Sequence, residues 1–207
     1  MCFSATASFT ASAVLSAAGI ASIKKAPHKR DYFLAAIPLL FGIQQFFEGM
    51  IWVFPNSGLW IQFFVVGFLI FATIVWPFYV PIAVWSHERD KHRKNALRVL
   101  VVVGGIVSLY MFWLGLIQPV TLSFHEHSVR YSIENPITVW GILMYIMIVT
   151  SSFLLSTKTF LHWFGMAILF SAWLSWGIYE ATFTSVWCFF AALISFSLYF
   201  YFHSKKK

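Results

Sequence analysis

The chain has 207 residues, of which 60% are hydrophobic, 20% aromatic and only 10% charged, whereas soluble domains carry roughly a quarter charged residues. That balance excludes a soluble globular protein and leaves room for about seven apolar spans of roughly 20 residues each, as one all-α membrane domain over residues 1–207. The formal net charge of +7 is confined to short loops between apolar runs, a distribution that follows membrane orientation and excludes nucleic-acid binding.

No signal peptide is read ahead of the first apolar run, so span 1, at about residues 4–23, is expected to act as its own insertion signal. Its Ser8, Thr10, Ser12, Ser16, Ala17 and Ala18 are small enough for close helix contact and predict a buried helix. A basic turn over residues 24–31 leads to span 2, at about 32–54, which Pro55, Asn56, Ser57 and Gly58 terminate. Span 3, at about 59–85, contains Pro77 and Pro81; each removes a helix donor, which predicts a kink. Residues 87–94 form the most charged stretch and read as a solvated loop facing lipid headgroups. Span 4 follows at about 96–117. In the long connection between Pro119 and Pro136, residues 120–124 and 129–133 alternate in polarity, which predicts a β-hairpin lid. Spans 5 (about 137–155), 6 (about 160–179) and 7 (about 183–203) precede a lysine tail at 205–207.

Span 2 holds the residues that organise the rest. Gln44 and Gln45 precede Glu48 by four and three positions, which stacks all three on one helix face, with Trp52 one turn further on. A carboxylate at the centre of a membrane helix costs roughly 2.5–3.5 kcal/mol on insertion scales, so that face is expected to look into the bundle and to serve function.

Orientation follows from the bases. Thirteen of the fourteen Lys and Arg residues (24, 25, 29, 30, 89, 91, 93, 94, 98, 158 and 205–207) fall on one side once seven spans are threaded, and Arg130 falls on the other. The positive-inside rule then places the N-terminus, the hairpin and the Glu180 turn outside and the C-terminus in the cytoplasm. This threading gathers Gln44, Gln45, Glu48, Gln62, Tyr110, Trp176 and Glu180 in the outer half, together with Cys2 and Cys188. The expected site is an outward-facing pocket around Glu48 for a small molecule, ion or lipid, serving transport or sensing.

Two other classes stay open at this point. His125 and His127 lie two apart on a strand-forming segment, and imidazole suits zinc or copper, so Cys2, Glu48, His125, His127 and Cys188 form a candidate divalent-metal set for a membrane-embedded enzyme. A catalytic thiol at Cys2 or Cys188 lacks an intramembrane histidine or lysine in the outer half to activate it. A structural or partner-binding subunit would need no pocket, and Thr184, Cys188, Ala191, Ala192 and Ser195 make a small-residue stripe suited to helix contact.

The opening residues 1–9 (MCFSATASF), residues 38–49 (PLLFGIQQFFEG) and residues 187–192 (WCFFAA) together resemble an uncharacterised family of bacterial seven-helix integral membrane proteins. The resemblance spans the chain and implies a bacterial inner-membrane location, with Cys2, the Gln44–Gln45–Glu48 face and Cys188 as signature positions. Other seven-helix families depart from these residues. Retinal opsins need a lysine inside span 7, whereas the late lysines here are all in the tail, so no retinal is expected. The histidines of spans 6 and 7, His162 and His203, lie at the cytoplasmic ends, which disfavours hydrolases resembling the alkaline ceramidases.

The basic asymmetry generates a direct test. Membrane-impermeant labelling of single cysteines from the outside modifies Asn56→Cys and Ser128→Cys and spares Asn95→Cys and Ser204→Cys; the reverse pattern overturns the assigned sidedness.

Overall fold

The structure is a computed structural model that describes residues 4–55, 58–117, 120–125, 128–133 and 138–204. Helix α1 (Ala5–Lys25) starts where the Ser4 hydroxyl accepts the Ala7 N–H at 3.2 Å, and it ends with Lys24 and Lys25 in its last turn, where cations complement the helix dipole. A short turn at Lys29–Asp31 leads to α2 (Tyr32–Ala35) and α3 (Ile37–Val53), the latter opened by Pro38 at a position where its missing donor costs nothing. Helix α1 packs chiefly on α3. A Cβ on Gly19 would collide with the Leu39 backbone, and one on Gly42 with the Ser16 hydroxyl, so small residues let these two backbones approach. The expectation of a wholly buried first helix is corrected: one face of α1, with Ser8, Ala11, Ser12, Leu15, Ala18, Gly19 and Ser22, is buried, while Val14 and Ile20 on the other are exposed.

After Gly58, whose φ of 56° suits a residue without Cβ, α4 (Leu59–Leu69) runs through π-helical turns at Ile70–Val75 into α5 (Trp76–His87). The irregular backbone of this span lies at Ile70–Val75, ahead of the Pro77–Pro81 segment where a kink is expected, and α5 continues as a helix through Pro81. Such turns disrupt the regular backbone ladder, and neighbouring hydroxyls meet the carbonyls: Tyr145 donates to Ala72 at 2.8 Å and Ser108 to Ile74 at 2.7 Å. Helix α6 (Lys91–Ile117) crosses α5 closely at Gly104, where a Cβ would collide with the Pro77 carbonyl.

Strands β1 (Val120–His125) and β2 (Ser128–Ile133) pair antiparallel with Val120 opposite Ile133. Helices α7 (Val139–Leu154), α8 (Thr159–Tyr179), α9 (Phe183–Ser195) and α10 (Ser197–Ser204) follow, with a 3-10 turn at Glu180–Thr182 between α8 and α9. Five helical stretches among the described residues are long and apolar enough to cross a membrane: Ala5–Lys25, Lys29–Val53, Leu59–His87, Lys91–Gly115 and Thr159–Ser204. The last is 46 residues long, and α8 and α9 pack on each other across the Glu180–Thr182 turn. Val139–Leu154 is a shorter apolar helix. The chain is thus an all-α membrane protein with a small sheet. Its main core gathers Trp76, Phe153, Phe164, Trp187 and Phe202. A second cluster joins Phe64, Phe68 and Cys188 to Val129 of β2.

At the end of the bundle opposite the strands, the loop read as solvated is partly buried, with His87 and Glu88 only 5% and 3% exposed. Charge density alone cannot reveal that a carboxylate closes a helix end. Glu88 accepts the backbone N–H groups of Arg89 (2.7 Å), Asp90 (3.0 Å) and Thr157 (2.6 Å), and the hydroxyls of Thr157 (2.9 Å) and Ser156 (3.2 Å). Arg93 in turn donates to the Leu155 and Ser156 carbonyls at the end of α7. One carboxylate thus satisfies open donors at the start of α6 and locks that turn to the α7–α8 turn. Burial opposes its ionisation, but the donors from Asp90, Thr157 and Arg89 outweigh burial and hold the Glu88 carboxyl at about 2, below the ordinary 4.5.

A group whose folded pKa is depressed stabilises the fold above its unfolded pKa and loses that contribution as pH falls through the folded value. For Glu88 the contribution is complete above about pH 5 and lost between about pH 4.5 and 2. Glu88→Ala is therefore expected to lower the apparent melting temperature in detergent at pH 7 by several degrees, with the difference from wild type shrinking toward pH 3. An unchanged melting temperature at pH 7 contradicts the clamp.

Candidate functional site

On α3, Gln44, Gln45 and Glu48 are all fully buried, as their shared face predicts. Neighbouring Gly49 lets the helix come close to α1, since a Cβ there would collide with the Phe9 ring. Glu48 accepts two hydrogen bonds among the described residues, from Gln45 Nε2 at 3.3 Å and from the Ser185 hydroxyl at 2.7 Å. Ser185 belongs to α9, so the acid joins α3 to a helix 137 residues away. Gln44 points elsewhere: its Oε1 accepts the Trp76 indole N–H at 2.8 Å, and the Trp76 ring stacks on Phe41 at 3.9 Å between centroids. The Cys188 thiol is buried and lies against the Gln44 amide and close to Glu48.

The indole bond fixes the Gln44 amide, and an ionised Glu48 fixes that of Gln45. Reversing Gln44 would aim an NH2 at the indole donor, and reversing Gln45 would aim its oxygen at a carboxylate. So oriented, Gln44 Nε2, which faces only the weakly accepting Cys188 thiol, and Gln45 Oε1 have no geometric hydrogen-bond partner among the described residues although both are buried. A buried polar atom without a partner costs roughly 1–3 kcal/mol, so one donor and one acceptor are held in reserve beside an ionisable acid. Beyond Cys188 lies a narrow apolar cavity of about 30 Å³, lined by Phe41, Trp76, Tyr145, Phe164 and Trp187 among others; that volume is about the share of one water molecule.

The strands close this end of the bundle. Val129 is fully buried, Tyr131 stacks on Phe68 at 5.0 Å, and Phe124 lies 5.5 Å from Trp52. The polar centre is thereby enclosed, whereas the sequence suggested an open pocket.

Other expected members disperse. Gln62, Tyr110 and Glu180 are exposed: α4 turns Ile61, Phe64 and Val65 inward, and α6 turns Val107 and Met111 inward, which points their polar neighbours outward. Trp176 is half-buried and packs edge-on against Phe183 at 5.3 Å, within the core and without a bond to Glu48. Of the candidate metal set, Cys2, His127 and the His125 side chain lie outside the described residues, and Glu48 and Cys188 are neighbours. No group of three or more His, Cys, Asp or Glu suited to a metal occurs among the described residues.

Five contributors escaped the sequence reading. Trp76 and Ser185 are an ordinary aromatic and a small residue in apolar runs, and only packing reveals them as partners of Gln44 and Glu48. At the opposite end, Asp31, His87 and Tyr201 form a hydrogen-bonded chain from three separate segments. Here the sequence did hold a signal, an aspartate directly before an apolar run.

Neither the curated proteins nor the solved structures include a match to this chain. A family model does match, over residues 1–207, and the chain belongs to that family of unknown function, DUF6629.

Proposed function

We propose that this chain is a seven-span protein of a bacterial inner membrane, with its N-terminus outside and its C-terminus in the cytoplasm, that binds a small polar molecule or ion at an enclosed site around Glu48 for transport or sensing. The seven spans are α1, α2–α3, α4–α5, α6, α7, α8 and α9–α10, with the strands as an outer lid; the basic asymmetry supports this orientation, and the family resemblance supports the location.

The observation that carries the binding reading is the pair of buried, unpartnered atoms, Gln44 Nε2 and Gln45 Oε1, beside the acid. A purely structural polar cluster is expected to satisfy its own atoms, because each unmet group lowers stability. One donor and one acceptor next to a carboxyl complement a ligand that offers both kinds of group. The enclosure by Val129, Tyr131 and Phe124 implies that ligand entry requires the lid or the neighbouring helices to move.

Native mass spectrometry tests the reading. Wild-type protein released gently from membranes carries an added small mass that Gln45→Leu and Glu48→Leu lose; bare protein in all three cases refutes it. The role of the acid is separable by stability. Glu48→Gln keeps an acceptor for Ser185 and is expected to melt within a few degrees of wild type. Glu48→Leu strands Gln45 Nε2 and Ser185 Oγ at about 1–3 kcal/mol each and melts clearly lower. Equal loss in both variants identifies the acid's charge as structural.

A further inference from the structure

The charged stretch that opens α6 holds two kinds of base. Arg93 is committed, since it donates to the Leu155 and Ser156 carbonyls. The nearby acids are committed too: Asp90 accepts the Arg93 backbone N–H at 2.9 Å, and Glu88 closes the two turns. Lys91, Lys94 and Arg98 are left over. None of these three has a carboxylate partner among the described residues, where the ion pairs gather on Asp31.

At 3.6 residues per turn, positions 91, 94 and 98 share one face of α6. Lys91 and Arg98 are exposed, while Lys94 is half-buried and held by a ring, its Nζ lying 4.7 Å over the centroid of Trp85 near the end of α5. A cation seated on an indole face is fixed in place without being neutralised. Lys94 is thus a positioned positive charge, flanked on the same face by one further base on each side.

That face continues as hydrocarbon. Val102, Ile106 and Leu109 follow Arg98 at helical spacing, and all three are exposed. Phe78 of α5, also exposed, borders the stripe where its ring lies against Gly105. Lys91–Gly115 is one of the stretches long and apolar enough to cross a membrane, so this exposed side meets lipid chains. Leu109 lies eleven residues beyond Arg98, a rise of about 16 Å, which is about the depth of one leaflet in a hydrocarbon core of about 30 Å. The sequence of groups along the helix is that of a phospholipid, charge first and then chain. With three cations and no balancing acid, the face favours a headgroup of net negative charge; a zwitterionic headgroup would bring a cation of its own against Lys91 or Lys94.

We propose that this face of α6 binds an anionic phospholipid, its phosphate between Lys94 and Arg98 and one chain along Val102, Ile106 and Leu109. The inference rests on the membrane class of the chain and is independent of whether the Glu48 centre holds a ligand.

Native mass spectrometry of the full-length protein, titrated in detergent with phosphatidylglycerol or with phosphatidylcholine of the same chains, tests it. The first phosphatidylglycerol is expected to bind on the order of tenfold more tightly than phosphatidylcholine. The double variant Lys94→Gln, Arg98→Gln is expected to lose most of that preference. Lys24→Gln, Lys25→Gln removes the same charge from the end of α1 and is expected to keep the preference within about twofold. Glycerol phosphate, the headgroup without chains, is expected not to displace the lipid at equal concentration. All substituted side chains lie outside the buried core, and the melting temperature of each variant verifies its fold. Absence of a headgroup preference in wild type overturns the site. Equal loss in the two double variants reduces it to overall surface charge, and displacement by glycerol phosphate reduces it to a free-phosphate site; either result overturns the proposal.

Discussion

A buried acid inside an apolar bundle sets the constraint that the rest of this structure answers. Glu48 has no access to water, so its oxygens need protein donors, and the helices that supply them must stay in register. Gln45 comes from the same helix and Ser185 from α9. The second bond closes a long sequence separation and ties the last part of the chain to an early helix. The close approach of α1 and α3 at Gly19, Gly42 and Gly49 holds the acid-bearing helix in place from the other side.

The same three parts of the chain meet twice. At the end near the strands, α3, α5 and α9 join through Gln44 to Trp76 and Glu48 to Ser185. At the basic end, the segment before α3, the end of α5 and α10 join through Asp31, His87 and Tyr201. Between these polar stations lies an apolar zone with Phe41, Val80, Phe153 and Phe164 around the narrow cavity. In low dielectric, hydrogen bonds are stronger and unmet polar groups cost more, so each station imposes a specific arrangement, while the apolar layer separates them with non-directional packing. The π-helical turns at Ile70–Val75 sit in one of the three spans that belong to both stations, and Tyr145 and Ser108 brace them from α7 and α6.

Glu88 and Arg93 serve a different purpose. They fasten the α5–α6 and α7–α8 turns to each other, outside the three-span system, and so give the basic end a rigid side on α6 to α8. Helix α10 is seated instead by apolar packing, with Leu198 and Phe202 fully buried in the main core and Tyr201 stacked on Phe160.

Membrane class, the approximate limits of the apolar segments and the shared face of Gln44, Gln45 and Glu48 were legible in the sequence, because hydropathy and the 3.6-residue period are local properties. The strand-forming segments were legible for the same reason, through alternation. Which polar groups meet was decided only in the tertiary structure. Trp76, Ser185 and Tyr201 carry no local sign of their roles, and each acquires one through a partner at least 32 residues away. Gln62, Tyr110 and Glu180 share with Glu48 a predicted depth but not a facing direction, since depth follows from position along a span and direction follows from how each helix turns against its neighbours. His87 and Glu88 sit in the most charged stretch of the chain and are nonetheless buried, because open helix ends and a facing aspartate compensate for the loss of water. Composition reports the average solvent of a segment, and only packing determines the surroundings of a single side chain.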